Sequence, residues 1–411
     1  MAALPQQPIT LSFEDARHVV EEHAAEVPPG EIEIEQLLAS AGRVLAESIV
    51  ADRDFPPFRR AMRDGYAVRA SDLTQLPVTL DVIAEIKAGV APQDLPAEVH
   101  SGQAAAIMTG APTPSGADAV VMVEYTSQRG SRVTITRGVS SGDNVVPVGS
   151  EARAGDVLLP TGTRIDYSAI AVASSVGKDS LRVFRRPQVA ILATGDEVVQ
   201  IHQIPGPNQI RNSNSYSLAA QIQKAGGEAK ILAIARDEAH HLRSLIQQGL
   251  ECDLLLLAGG VSMGKYDLVE QVLAEFGSQF FFTAVQIQPG RPIVFGRARG
   301  KYFFGLPGNP VSTMVTFDLF AKPLLEALAG MAPRKLVFLH ARLKSEIKTK
   351  TGLKRFLPGF LSGEFEQVEV ELARWQGSGD VASNARANCY IVLAADRNRI
   401  AAGEWVAVMK K

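Results

Sequence analysis

The chain has 411 residues, 42 of them basic and 44 acidic, for a formal net charge of −2. This balance excludes a general nucleic-acid binder, which carries a basic excess or stripe, and a hydrophobic share of 46% excludes a disordered chain. At roughly 150 residues per domain the length predicts about three domains.

No apolar run reaches the ~18 residues of a membrane-spanning helix, so no membrane partner is expected. The N-terminus, MAALPQQPITLSFEDA, lacks the basic region and apolar core of a signal peptide. The expected compartment is the cytoplasm. Cys252 and Cys389 are the 2 cysteines and make neither a disulfide framework nor a four-ligand zinc site. They read as small buried hydrophobes.

Residues 11–50 read as helical, with Ser12 capping a start and Asp15 three residues on as a loose capping box. EIEIEQLLASAGRVLAESI places apolar residues near helical spacing, broken at Gly42. Pro56 and Pro57 in DRDFPPF stop regular structure. Between 60 and 150, short runs such as PVTLDVIAEI, DAVVMVEY and SRVTITR alternate with Gly, Pro, Ser and Asp clusters, the pattern of an antiparallel β-rich domain. DYSAIAVASSVG reads as a helix ending at Gly177.

From Pro187 strands alternate with helices: PQVAILATGDE, SNSYSLAAQIQKAGG, EAKILAIARD, DEAHHLRSLIQQGL, CDLLLLAGG and KYDLVEQVLAEFG. Such alternation predicts a mostly parallel sheet with helices on both faces. The continuous LLLLA fits a strand buried on both sides. RPIVFGRA and KYFFGLPG add two strands before a helix with Asn309 as N-cap and Pro310 in first position. After Pro333, valine-rich runs such as QVEVELA and NCYIVLA predict a small sheet or barrel.

In open parallel sheets, ligands bind at the carboxyl ends of the strands. Those ends read TGDE, RDE, GGVSMGKYD and GLPGNP. The glycines of GGVSMG let backbone N–H groups approach an anion, although a tight strand-to-helix turn explains them equally simply. The turn matches neither GxxxxGK[ST] nor GxGxxG, which disfavours a nucleotide triphosphatase or a dinucleotide dehydrogenase. Asp196 and Glu197, Asp237, and Asp267 put acids at three strand ends. Together they point to a metal-assisted site for a phosphorylated ligand. In QPGRP, from Gln288 to Pro292, a Pro-Gly turn presents Arg291 to an anion. RDGYAV and IMTGAPTPSGADAVV add turns around Asp64 and Thr109.

DGYAV, IMTGAP with GADAVV, TGDE, GGVSMG, PGRP and GLPGNPVS occur in this order, and the chain resembles the molybdopterin molybdenumtransferase family of MoeA and the gephyrin C-terminal domain. The resemblance covers residues 10–408. It implies an α/β multidomain fold with an elongated mixed domain (1–55 and 148–186), a β-rich domain (56–147), an α/β/α molybdopterin-binding domain (187–332) and a C-terminal β domain (333–411). It implies a homodimer whose cleft joins the β-rich domain of one subunit to the pterin-binding and C-terminal domains of the other. The implied reaction takes molybdopterin adenylate and molybdate with Mg²⁺ and releases AMP.

By the same resemblance Asp64, Thr109, Glu197, Asp237 and Asp267 are catalytic. Gly259, Gly260, Ser262, Gly264, Lys265, Gln288, Arg291, Pro307 and Pro310 bind substrate or oxyanion, and Asp196, Glu197 and Asp237 lie near Mg²⁺. Several positions depart from the family pattern: Arg63 precedes DGYAV in place of methionine, Gln288 and Arg291 stand for the two lysines of KPGKP, Lys265 holds a position often acidic in relatives, and Glu151 stands for an aspartate. A non-catalytic pterin or nucleotide binder, a scaffold, a tungstate-inserting enzyme and a molybdopterin-adenylylating relative are the alternatives. The last is disfavoured by the DGYAV and TGAP segments.

Overall fold

The computed structural model describes residues 9–28, 30–260, 268–332 and 334–411. They fall into two compact units. The first takes the residues up to Glu47, Gly162–Tyr167 and Ser180–Lys411; the second takes Ser48–Thr161 and Ser168–Asp179.

The first unit begins with the Phe13–Ala25 helix. Ser12 caps it as expected: its Oγ accepts from the Asp15 N–H at 3.0 Å and donates to Asp15 Oδ2 at 2.7 Å. Phe13, Ala16, Val20 and Ala24, three or four residues apart, form its buried stripe. Phe13 packs against the rings of Phe320 and Phe356 at 6.0 and 5.3 Å. Ser12→Ala removes an N-cap acceptor and is expected to lower stability by about 1 kcal/mol, read as a lower urea midpoint at unchanged slope.

The helical expectation for the next segment is corrected. Ile32–Gln36 is a strand, antiparallel to Ser180–Phe184. Its sequence, IEIEQ, alternates with period two, which suits a pleated strand rather than a helix. Glu33 and Glu35 point the same way and meet the buried Arg43, at 2.5 and 3.4 Å. Arg43 also donates to Phe184 O at 2.9 Å, tying the two-strand ribbon to the following turn.

The α/β sheet runs in the order Glu228–Ile231, Gln188–Ala193, Leu254–Ala258, Lys301–Leu306, Val294–Ala298, Gln279–Phe282. The first four strands are parallel. Val294–Ala298 runs against them, because it forms a hairpin with Lys301–Leu306 on Arg299 and Gly300, both at positive φ, and Gln279–Phe282, antiparallel to Val294–Ala298, returns to the common direction. Leu254, Leu256 and Ala258 enter one core with Val189 and Ile191, while Leu255 and Leu257 enter the opposite core with Ala190 and Leu192. Burial on both faces is what makes LLLLA continuous. The Asn214–Ala225 helix stops at Gly226 in the left-handed region, as the sequence predicts.

The C-terminal strands Leu339–Leu343, Lys354–Ser362, Glu369–Leu372, Cys389–Leu393 and Trp405–Lys410 close on themselves through the pairing of Lys354–Ser362 with Cys389–Leu393. Leu343, Leu357, Ile391 and Val408 fill this barrel. Cys252 and Cys389 are free and buried, as their sequence context predicts.

The second unit is built on a six-stranded sheet: Ala119–Met122, Gly65–Val68, Gln103–Ile107, Val78–Ile86, Arg132–Ile135, Thr126–Arg129. It is antiparallel except for Val78–Ile86 with Gln103–Ile107, which run parallel. Ala67, Ala105 and Ile107 pack on one face and Val68, Ala104 and Val133 on the other. Glu151, one of the departures from the family pattern, pairs with Arg60 at 2.6 Å in this unit. Among the described residues of the chain, no helix is long and apolar enough to cross a membrane.

Candidate active site

Three parallel strands, Gln188–Ala193, Leu254–Ala258 and Lys301–Leu306, end at one edge, and a cavity of ≈ 460 Å³ opens there. Its lining comes from the Thr194–Glu197 turn, Asp237, the Gly259-Gly260 turn, Pro292, the segment 307–310 and the segment 210–214. Parallel pairing puts these ends side by side: Gly259 N–H donates to Leu306 O at 3.1 Å and Thr194 N–H to Ala258 O at 3.2 Å.

Two glycines shape the floor. Gly259 and Gly260 have φ of 95° and 66°. A Cβ on Gly260 would lie 2.5 Å from Thr194 Oγ1 and 2.8 Å from Val269 Cγ2. Backbone therefore reaches where no side chain fits. Two polar atoms here, Thr194 Oγ1 and Asn214 Oδ1, are buried without a hydrogen-bond partner among the described residues. Asn214 Nδ2 is engaged, donating to Gly308 O at 2.7 Å. Orphaned groups in a lined cavity mark places where a ligand or water completes the bonding.

The acids form a like-charge group. Asp237 N–H donates to Asp196 Oδ1 at 3.3 Å. Burial, and then the charges of Asp196 and Glu197, push the Asp237 carboxyl above its ordinary value. Among the described residues no three His, Cys, Asp or Glu side chains converge as a metal cage. Mg²⁺ does not need one, since it commonly takes one or two carboxylates with waters and phosphate oxygens. The repulsion felt at Asp237 is the field that such a cation relieves, so these residues fit Mg²⁺.

Of the residues expected from the sequence, Glu197, Asp237, Gly259, Gly260, Pro307 and Pro310 line one cavity, and Asp196 joins through its bond to Asp237. Gln288 and Arg291 are exposed and lie outside the lining, whereas Pro292 of the same turn is part of it. Gln288 pairs in register with Arg355, so a guanidinium-bearing residue neighbours the position of the missing lysine. Ser262, Gly264, Lys265 and Asp267 lie outside the described residues. Asp64 and Thr109 belong to the second unit. There the Thr109 N–H and hydroxyl both donate to Asp64 Oδ1, at 2.7 and 2.8 Å. These bonds, the backbone one first, hold the Asp64 carboxyl below the usual carboxylate range.

Sequence reasoning placed Thr194 in the TGDE turn without assigning it a role, and missed the segment 210–214. The available signal was the run IRNSNS before a helix, where Asn and Ser gather for local turns. Asn212 Oδ1 accepts from Ser215 N–H at 3.1 Å, which fixes this wall. The expectation for Asn309 is corrected in part. It holds the N-cap position, but its side chain makes no capping bond and stands in the cavity wall. Thr313 Oγ1 bonds the local carbonyls of Pro307 and Asn309 instead.

A mostly parallel sheet with glycine turns, orphaned polar atoms and acids gathered at its carboxyl edge is the arrangement of an α/β protein with a ligand cavity at its strand ends. Residues 11–177 match the family described as MoeA N-terminal region (domain I and II), residues 190–327 the probable molybdopterin binding domain, and residues 340–411 the MoeA C-terminal region (domain IV). A molybdopterin molybdenumtransferase of Nostoc sp. is 35% identical, covering 92% of this chain and 88% of its own length. One of Staphylococcus epidermidis is 31% identical, covering 100% of this chain and 97% of its own. The crystal structure of the molybdopterin biosynthesis MoeA protein of Pyrococcus horikoshii OT3 superposes with a TM-score of 0.79 at 28% identity, covering 98% of this chain and 100% of that one.

The chain belongs to the MoeA family of molybdopterin molybdenumtransferases. It is an enzyme of molybdenum cofactor biosynthesis, with the multidomain mixed α/β fold that the sequence predicts.

Proposed function

We propose that the enzyme inserts molybdate into adenylylated molybdopterin, with Mg²⁺, and releases AMP. The observation that carries this reading is the acidic group at Asp196, Glu197 and Asp237 beside the Gly259-Gly260 turn. A site that only held an anion would gain nothing from three carboxylates, which repel it. Bound there, Mg²⁺ would supply charge neutralisation for a pyrophosphate.

The chain's own residues then have defined tasks. The Gly260 N–H faces the anionic part of the substrate, the Gly259 N–H being held by Leu306 O. The Thr194 hydroxyl donates to it, and Asn214 Oδ1 accepts from an N–H or O–H of the substrate or from a bound water. Glu197 and Asp237 hold the cation. Asp64, already fixed in its ionised form by Thr109, completes the site from the β-rich domain of a second subunit in a homodimer. The four-domain division 1–55 with 148–186, 56–147, 187–332 and 333–411 belongs to the same reading, as does a cytoplasmic location.

The test is one assay with full-length protein, molybdopterin adenylate and Mg²⁺, following AMP with molybdate or tungstate present. Release that needs an oxyanion and Mg²⁺ is the expected result, and the preferred oxyanion names the metal inserted. Tight binding of the adenylate without oxyanion-dependent AMP would instead identify a binding relative and refute the reading.

A further inference from the structure

The first unit contains another cavity, of ≈ 570 Å³, which shares no lining residue with the candidate active site. It lies among the Asn214–Ala225 helix, the helical segment 310–328, the segment 334–339 and the barrel strands Cys389–Leu393 and Trp405–Lys410. This volume falls within the range of small-ligand pockets, about 300–1,000 Å³.

Its chemistry is divided. Lys224, Lys322, Lys335 and Lys410 line it. Among the described residues none of the four stands within ion-pair distance of a carboxylate, whereas Arg334 is paired with Glu326 at 3.1 Å. Four unpaired ammonium groups around one opening repel one another, which does not help the fold. They suit an anion. The walls are apolar: Met314, Leu336, Val337, Leu339 and Met409. Two flexible thioethers favour a flat ring.

Two carboxylates line it: Glu326, taken up by Arg334, and Asp318, which accepts from Gln221 Nε2 at 3.0 Å. That nitrogen also donates to Met314 O at 3.0 Å, while Gln221 Oε1 is buried with no partner among the described residues. Acceptors at this point call for N–H donors on the ligand. A 2-amino-4-oxo heteroaromatic edge presents two adjacent N–H donors to a carboxylate.

We infer that this cavity is a second ligand site, for an anionic heteroaromatic with a 2-amino-4-oxo edge. The ring lies between Met314 and Met409, the N–H edge meets Asp318, and the phosphate or carboxylate meets the lysines. A guanine nucleotide and an anionic pterin share this edge. The inference uses none of the active-site acids and stands independently of the proposed reaction.

The test follows the methionine methyl signals of full-length protein during titration with guanosine 5′-monophosphate and, separately, with 6-carboxypterin. Saturable shifts at Met314 and Met409 are expected with at least one probe, and the stronger binder identifies the source of the ligand. Equal concentrations of inorganic phosphate should not displace it. Lys322→Glu with Lys335→Glu should weaken binding about tenfold or more, since each loses a charge-assisted contact. Asp318→Asn should favour xanthosine over guanosine monophosphate, because an acceptor becomes a donor. Asp237→Asn should leave binding unchanged. Methyl signals unmoved by both probes, or binding indifferent to the lysine pair, would overturn the inference.

Discussion

Gly260→Ala is expected to lower stability by about 2–4 kcal/mol and to reduce turnover about 100-fold. Two separate effects add. The first is conformational: an L-residue at φ of 66° pays the left-handed penalty, roughly 1–2 kcal/mol. The second is steric, because the new methyl would stand 2.5 Å from Thr194 Oγ1 and 2.8 Å from Val269 Cγ2. Neither neighbour is a mobile side-chain end. Thr194 is buried and Val269 belongs to a helix core. The turn must shift by a large fraction of an ångström, and the backbone that faces the ligand shifts with it. Gly277 provides the control. Its φ is 69°, yet a Cβ there meets nothing within 4 Å, so Gly277→Ala isolates the conformational part. Thermal scans and the AMP assay on both variants separate the two effects. Equal activity in the two would show that the Gly259-Gly260 turn does not carry the substrate.

The glycine turn was legible because its chemistry is local. A buried strand run followed by GG can be read from neighbours in sequence, and so can the acids at the ends of adjacent strands. The same holds for Ser12 and Asp15, which cap a helix three residues apart. What escaped the sequence depends on partners far along the chain. Ile32–Gln36 became a strand because Ser180–Phe184 pairs with it and Arg43 gathers its two glutamates. Its apolar positions fit two periods, and the distant partner decided between them. Thr194 gives no signal of its own, since its importance lies in facing a glycine 66 positions later. The segment 210–214 looked like an ordinary helix entry, and its place in the cavity follows only from the strand order. Gln288 and Arg291 show the reverse case. Their turn was found, but the side that enters the cavity is Pro292.

Asp237→Asn is expected to stabilise the metal-free protein while reducing turnover by about 100- to 1,000-fold. The sign follows from linkage. The Asp237 carboxyl binds its proton more tightly in the folded state than its ordinary value of 3.8 implies, through burial and the charges of Asp196 and Glu197. Ionising it therefore opposes folding. The penalty is absent below 3.8, appears as the pH rises toward the raised folded value, and is complete above that value. An amide carries no such penalty, so the variant should be the more stable protein at neutral pH. The gain is small, a few tenths of a kcal/mol, because solvent screens an exposed carboxylate. Mg²⁺ should reverse the order. By neutralising the acids it stabilises the wild type through binding linkage, and the variant, with one ligand fewer, gains less. Thermal midpoints with and without Mg²⁺, at pH 4 and pH 7, read out both parts. Glu197→Ala should lose turnover in the same way. Near-normal turnover in both variants would remove these carboxylates from the reaction, and an unchanged response of Asp237→Asn to Mg²⁺ would place the cation on other residues.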